Sequence, residues 1–225
     1  MINLGWPDSW EGYVEKVSSM QKEDFGELLR RYRTGRAKGD KQHKRLTDDM
    51  AGSCSPMMWY GVPVGKMFFE GAPRLLRSKA CVVPFRKLRP GFGIIVEAYP
   101  KLVARIAVGD RSRSYKSDDK RKWTADREKA RREIVEALES REIRETYGIR
   151  VWISESLAGE LVADGSGDSL DAVLCAIQAA WSYTRKEQNY GIVKSCATEG
   201  WIVDPLLCRN RPEEGSAQPV IFHRG

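Results

Sequence analysis

Apolar side chains recur at helical spacing through the first part of the chain. Trp10, Tyr13, Val14 and Val17 follow the helix-start signal Pro7-Asp8-Ser9, and Phe25, Leu28, Leu29 and Tyr32 form the stripe of a second predicted helix over 23–32. From Arg30 to Arg45 the pattern gives way to a basic run interrupted by Gly35 and Gly39, which predicts a loop. Residues 52–56 predict another loop, and 64–76 a helix with a break at Pro73. The period then shortens. Residues 81–85 and 94–98 are β-rich runs, the second introduced by Pro90-Gly91-Phe92-Gly93 and closed by Tyr99-Pro100. Proline suits a first helical turn, so a helix is predicted over 101–108.

After a charged loop over 109–123, Thr124 is placed to cap an amphipathic helix that turns Ala130, Ile134 and Leu138 inward. Residues 150–153 predict a short strand. Gly165-Ser166-Gly167 breaks the chain before its most apolar helix, predicted over 168–185, and 200–203 predict a last strand. The order is strand, helix, strand, helix behind a helical first half. That predicts an α/β protein with a small, largely parallel sheet.

Composition changes this picture little. The 225 residues are 41% apolar and 31% charged, enough for one domain with a real core. The net charge of +7 favours an acidic partner such as nucleic acid. The apolar stretch 170–181 is far short of a bilayer span, so a membrane partner is not expected, and the opening residues do not read as a signal peptide. The five cysteines are widely spaced, no Cys-x-x-Cys occurs and there are only two histidines, which argues against zinc and for reduced cytoplasmic thiols.

The chemistry concentrates at Asp168 and Asp171. Three apart at a helix start, they share one face, about 5–6 Å between β-carbons. Paired carboxylates on a rigid element suit magnesium, and a third from another element would complete a two-metal phosphoryl-transfer site. Glu97, at the end of a predicted strand, is the best third candidate. The competing reading is structural: Asp168 suits an N-cap and Asp171 a capping box.

Four stretches carry a resemblance. They are Val96-Glu97-Ala98-Tyr99-Pro100; Ser114-Tyr115-Lys116; Gly167-Asp168-Ser169-Leu170-Asp171-Ala172-Val173-Leu174-Cys175-Ala176; and Glu199-Gly200-Trp201-Ile202-Val203-Asp204-Pro205. In this order they resemble the domain-of-unknown-function family 429, a family similar to ribonuclease H and Holliday-junction resolvases and described as predicted nucleases. The resemblance runs from near residue 1 to about Pro205. It implies a ribonuclease-H-like fold: an incomplete central sheet with flanking helices and a helical N-terminal insertion. It puts Glu97, Asp168 and Asp171 at acidic positions as catalytic and metal-binding residues for Mg2+ or Mn2+. The family's opening strand with Gly-x-Asp, the hairpin after it and a later Asp-x-Pro strand are not found in this sequence, which is expected to lack those strands.

The expected organisation is a helical insertion and linker over 1–80, the C-terminal part of a ribonuclease-H-like domain over 81–205, and a flexible tail over 206–225. The expected function is that of a metal-dependent nuclease-like protein acting on nucleic-acid phosphodiesters, truncated and inactive if the missing strands are needed. The alternative is a non-catalytic nucleic-acid-binding or structural remnant of such a nuclease. A small phosphorylated ligand held through a metal is a third reading.

Arg36, Lys41, Arg45, Lys66 and Lys116 are the candidate phosphate contacts, since such cations neutralise phosphates without reading sequence. The cations over 120–133 interleave with acids and predict a solvated, salt-bridged helix face. Gly61-Val62-Pro63-Val64-Gly65-Lys66-Met67 is one residue short of a phosphate loop and reads as a turn entering a helix. His43 is expected in an exposed loop, Trp201 in the core, and Cys54 or Ser55 could serve as a nucleophile only with a partner.

Overall fold

The computed structural model describes residues 5–37, 41, 43–61, 63–109, 114–196 and 198–209. Helix α1 (Trp10–Ser18) starts where the sequence places it: the Ser9 hydroxyl accepts the Gly12 N–H, and Trp10, Val14 and Val17 turn inward. Helix α2 (Lys22–Arg33) buries Phe25, Gly26 and Leu29. Short α3 (Leu46–Ala51) precedes α4 (Val64–Arg77). The expected break at Pro73 does not occur; the ring is buried within α4, and packing offsets the lost backbone bond. An aromatic cluster joins these helices, with Phe25 against Trp6, Trp59 and Phe69. Gly26 lets the Trp59 ring lie on α2, since a Cβ there would stand 2.6 Å from the ring.

Strands β1 (Cys81–Val82) and β2 (Ile94–Ile95) pair in parallel, Cys81 opposite Ile94. The pairing extends beyond them. Cys81 donates to the Gly93 carbonyl at 2.8 Å and Val83 to the Ile95 carbonyl at 2.9 Å. On the other edge Glu97 forms a parallel bridge with Ile202, and the Val203 N–H donates to the Glu97 carbonyl at 2.9 Å. The 93–97 segment is therefore central, with 81–83 on one side and 202–203 on the other. The predicted strand over 150–153 does not form; the Ile153 N–H donates to the Glu139 carboxylate at 2.8 Å instead of to a neighbouring strand.

Helices dominate the rest: α5 (Pro100–Val108), α6 (Ala125–Ala137), α7 (Arg141–Tyr147), α8 (Glu155–Ala163), α9 (Asp168–Thr184) and α10 (Pro205–Arg209). Thr124, Ser140 and Ser154 cap α6, α7 and α8, each hydroxyl accepting the N–H of the third residue on. Helix α5 packs on α9, α6 and α7, and α6 on α8. Leu102, Ile134, Leu138, Ile143, Leu174 and Trp201 lie in the shared core. Trp201 is a core residue, as expected. The protein is thus mixed α/β and mostly helical.

The expected tail over 206–225 begins instead as α10. Asp204 accepts the Leu206 N–H and Leu207 is buried, which anchors this turn; residues 210–225 lie outside the described residues. Among the described residues, no helix is long and apolar enough to cross a membrane.

Candidate functional site

Glu97 stands at the end of the central strand, where a carboxylate can face a ligand. It is held by Arg45, at the start of α3. Arg45 Nη1 donates to Glu97 Oε2 at 2.7 Å and Nη2 to Oε1 at 2.6 Å. The same guanidinium grips Asp48, Nε to Oδ2 at 2.9 Å and Nη2 to Oδ1 at 2.8 Å. Asp48 also accepts from the Ser53 hydroxyl and from the Arg45 backbone. Side-chain exposure falls from 39% at Glu97 through 19% at Arg45 to 1% at Asp48. Burial works against the Arg45 charge, but the bonds to Glu97 and Asp48 outweigh it and raise its pKa further above the ordinary value. Gly200 passes close by with φ +84°; a Cβ there would stand 3.0 Å from Phe85 Cζ and 3.5 Å from Glu97 Oε2.

Asp171 lies in the first turn of α9. It accepts the Tyr115 hydroxyl and the Lys116 ammonium, each at 2.5 Å. Lys116 reaches it by lying over Gly167, where a Cβ would stand 2.6 Å from Lys116 Cβ. Burial pushes the Tyr115 hydroxyl well above its usual range, and the bond to Asp171 adds to this. Burial lowers the Lys116 pKa, but the bond to Asp171 and the charges of Asp171, Asp168 and Asp118 raise it on balance. Cys175, one turn further along α9, is pushed up to about 11 by burial and by the Asp171 charge, so its thiol stays protonated near neutrality.

The expected cap at Asp168 is corrected here. Gly167, at φ 73°, holds the N-cap position and Asp168 is the first helical residue, exposed to solvent. The capping carboxylate is that of Asp164. Its Oδ1 accepts from the Ser166 N–H and hydroxyl, and its Oδ2 accepts the Ser169 N–H at 3.0 Å. These bonds, the Ser166 hydroxyl's foremost, hold the Asp164 carboxyl well below the usual range.

The Glu97 and Asp171 corners are linked but distinct. The Tyr99 N–H donates to Gln178 Oε1 at 2.9 Å, tying the chain just past Glu97 to α9. Gln178 lies about 10 Å along the α9 axis from Asp171, by helical rise. Among the described residues, no three His, Cys, Asp or Glu side chains gather as a metal-holding group, so Glu97, Asp168 and Asp171 are not brought into one. As placed, the acids do not fit magnesium, which asks for several hard oxygen ligands: Glu97 shares its oxygens with Arg45, and Asp171 with Lys116 and Tyr115.

The candidate phosphate contacts separate into two groups. Arg45 and Lys116 are engaged by carboxylates. Lys41 and Lys66 are exposed, with Lys66 5.7 Å over the Trp59 ring, and half-buried Arg36 lies over the Tyr32 ring beside His43. Lys38 lies outside the described residues. Arg30 and Arg31 pair with Glu27, and Lys44 with Asp49. In the segment resembling a phosphate loop, Val64 to Met67 are already in α4 and the Gly65 N–H donates to the Met58 carbonyl at 2.8 Å; Val62 lies outside the described residues. The buried Ser55 hydroxyl donates to the His43 carbonyl and accepts the Met57 N–H, a structural role.

Two polar groups carry more than the pattern suggested. Asp204 is fully buried and accepts the Tyr147 hydroxyl at 2.8 Å, Gln178 Nε2 at 2.6 Å and the Leu206 N–H at 2.9 Å. Its position before Pro205, at a helix start, was the available signal. Arg131 lies on the helix face expected to be solvated. Arg121 and Arg132 there do form exposed pairs with Asp119 and Glu128, yet Arg131 is buried and donates to the carbonyls of Val162 and Tyr115. It thereby fixes the backbone that presents Tyr115 and Lys116 to Asp171.

Comparison with protein-family models, with curated proteins and with solved structures finds no match for this chain.

Proposed function

We propose that this protein is a nucleic-acid-binding relative of ribonuclease-H-like nucleases that holds phosphates without cutting them. The observation that carries this reading is Arg45. Its guanidinium binds the strand-end Glu97 and the buried Asp48 together. A metal at Glu97 would have to displace that cation and leave Asp48 buried with only neutral donors, a costly exchange. Lys116 engages Asp171 in the same manner. The net charge of +7 and the exposed Lys41 and Lys66 suit a polyanion. The resemblance to the domain-of-unknown-function family 429 supports the ribonuclease-H-like ancestry.

The test is binding of labelled single- and double-stranded oligonucleotides across a salt series, with and without Mg2+ or Mn2+. Salt-sensitive binding without cleavage is expected. Absence of binding at low ionic strength overturns the nucleic-acid part, and metal-dependent cleavage overturns the non-catalytic part.

A metal-dependent phosphodiester hydrolase is the second reading. It is favoured by the disposition of Glu97 at the end of a central strand and Asp168 with Asp171 in the first turn of a helix tied to it through Tyr99 and Gln178. On this reading the acids exchange Arg45 and Lys116 for Mg2+ or Mn2+. A thermal shift with millimolar metal in the wild type that disappears in Asp171→Asn is its signature.

A further inference from the structure

Trp152 is 78% exposed, the highest value for a large apolar side chain among the described residues. Burial alternates along 150–153, with Arg150 and Trp152 exposed and Val151 and Ile153 half-buried. Val151 and Ile153 pack against the core, which leaves Arg150 and Trp152 on the outward side. Arg144, in the last turn of α7, joins them, and with Glu139 and Ser140 they border a cleft of about 120 Å3. Neither Arg144 nor Arg150 is in an ion pair among the described residues, although the neighbouring Arg141 is paired with Glu145. Glu139, the carboxylate on the cleft, is turned to the backbone and accepts the Ile153 N–H.

An exposed indole beside two guanidinium groups that are in no ion pair, with the single carboxylate of Glu139 on the same cleft, is a specific chemical combination. The cleft is too small to engulf a small molecule, since such pockets run to roughly 300–1,000 Å3. A flat ring laid on the indole from outside needs no such depth, and the guanidinium groups bordering the same cleft can take the charges next to it. In a duplex the bases are stacked on one another; in a single strand each base has a free face, and stacking on an aromatic side chain tolerates any of them.

We propose that Trp152, Arg144 and Arg150 form a stacking site for single-stranded nucleic acid, the indole taking one base and the arginines the flanking phosphates. This rests on the nucleic-acid-binding reading above and gives it a contact away from the Glu97 and Asp171 corners.

The experiment compares anisotropy of labelled oligothymidylate and of a duplex at low salt, for the wild type, Trp152→Ala, Trp152→Phe and the double variant Arg144→Ala/Arg150→Ala. Unchanged thermal midpoints verify that these surface variants fold. Trp152→Ala is expected to weaken oligothymidylate binding by about tenfold or more and to leave duplex binding unchanged, with Trp152→Phe retaining most of the affinity. The arginine variant is expected to flatten the log–log salt dependence by about 0.7 for each lost phosphate contact. If the protein binds oligothymidylate and Trp152→Ala binds it equally well, the stacking site is overturned and the nucleic-acid reading stands. If the wild type binds neither ligand, both fall.

Discussion

The Arg45 guanidinium and the Glu97 carboxylate meet face to face, through two bonds of 2.7 and 2.6 Å. The pair joins the start of α3 to the end of the central strand, and the buried Asp48 closes it from the other side. The three members should differ sharply in energetic weight. Arg45→Ala leaves Asp48 with a buried, unneutralised charge and is expected to cost about 3–5 kcal/mol. Glu97→Gln acts at the exposed end and is expected to cost less than about 1 kcal/mol. Urea denaturation of the two variants checks the contrast; a large loss in Glu97→Gln would contradict it.

Asp204 is the buried node between α7, α9 and α10, bonded to Tyr147, Gln178 and the Leu206 backbone. Asp204→Ala strands both side-chain donors. Each unsatisfied group costs about 1–3 kcal/mol, so a loss of about 3 kcal/mol or more is expected. Tyr147→Phe removes one donor and leaves the carboxylate its other two, so it should cost about 1 kcal/mol. Equal effects of the two substitutions on the denaturation midpoint would show that the network is not centred on Asp204.

Gly167→Ala combines a strained backbone with a collision. The residue has φ +73°, and its new Cβ would meet Lys116 at 2.6 Å. The backbone alone is expected to cost about 1–2 kcal/mol. Displaced Lys116 would also release Asp171, so the ammonium pKa should fall toward its ordinary value. Calorimetry reads the first effect and NMR titration of Lys116 Nζ the second; an unperturbed Lys116 titration would contradict the proposed contact.

Two aspartates should act on stability at acid pH with opposite sign. Asp164 has a depressed pKa in the folded state, mainly from its Ser166 and Ser169 bonds. Its contribution is present above the ordinary value of 3.8 and is lost as pH falls below it. Asp204 has a raised pKa, through burial. Its contribution is fully present below 3.8 and is lost as pH rises through the raised value. Asp164→Asn is therefore expected to flatten the loss of stability on the acid side. Urea midpoints between about pH 2 and 7, a range set by the ordinary aspartate pKa, test this; an unchanged acid limb would refute the Asp164 role.

Much of the local structure was legible in the residues themselves. Thr124 caps the helix it was expected to cap, α1 begins at the predicted start signal, the apolar stripes of α1, α2 and α6 face inward, and the two β-rich runs pair in parallel. These features depend on neighbours within a turn or on a simple period, so the chain states them directly. The acid pair in the first turn of α9 was equally visible, and so was the strand-end place of Glu97.

The partners of those acids were decided only by the tertiary structure. Arg45 and Glu97 are 52 residues apart, and Lys116 and Asp171 are 55 apart. No periodicity relates such pairs; they meet because the chain path brings one helix start to a strand end and one loop over Gly167. The same reason hid Arg131 among the charges of an amphipathic helix and assigned the α9 cap to Asp164 rather than Asp168. The residue types and their local geometry belong to the sequence. Which cation neutralises which carboxylate, and therefore what each acid is free to bind, belongs to the fold, because burial and pairing energies depend on distances that only packing sets.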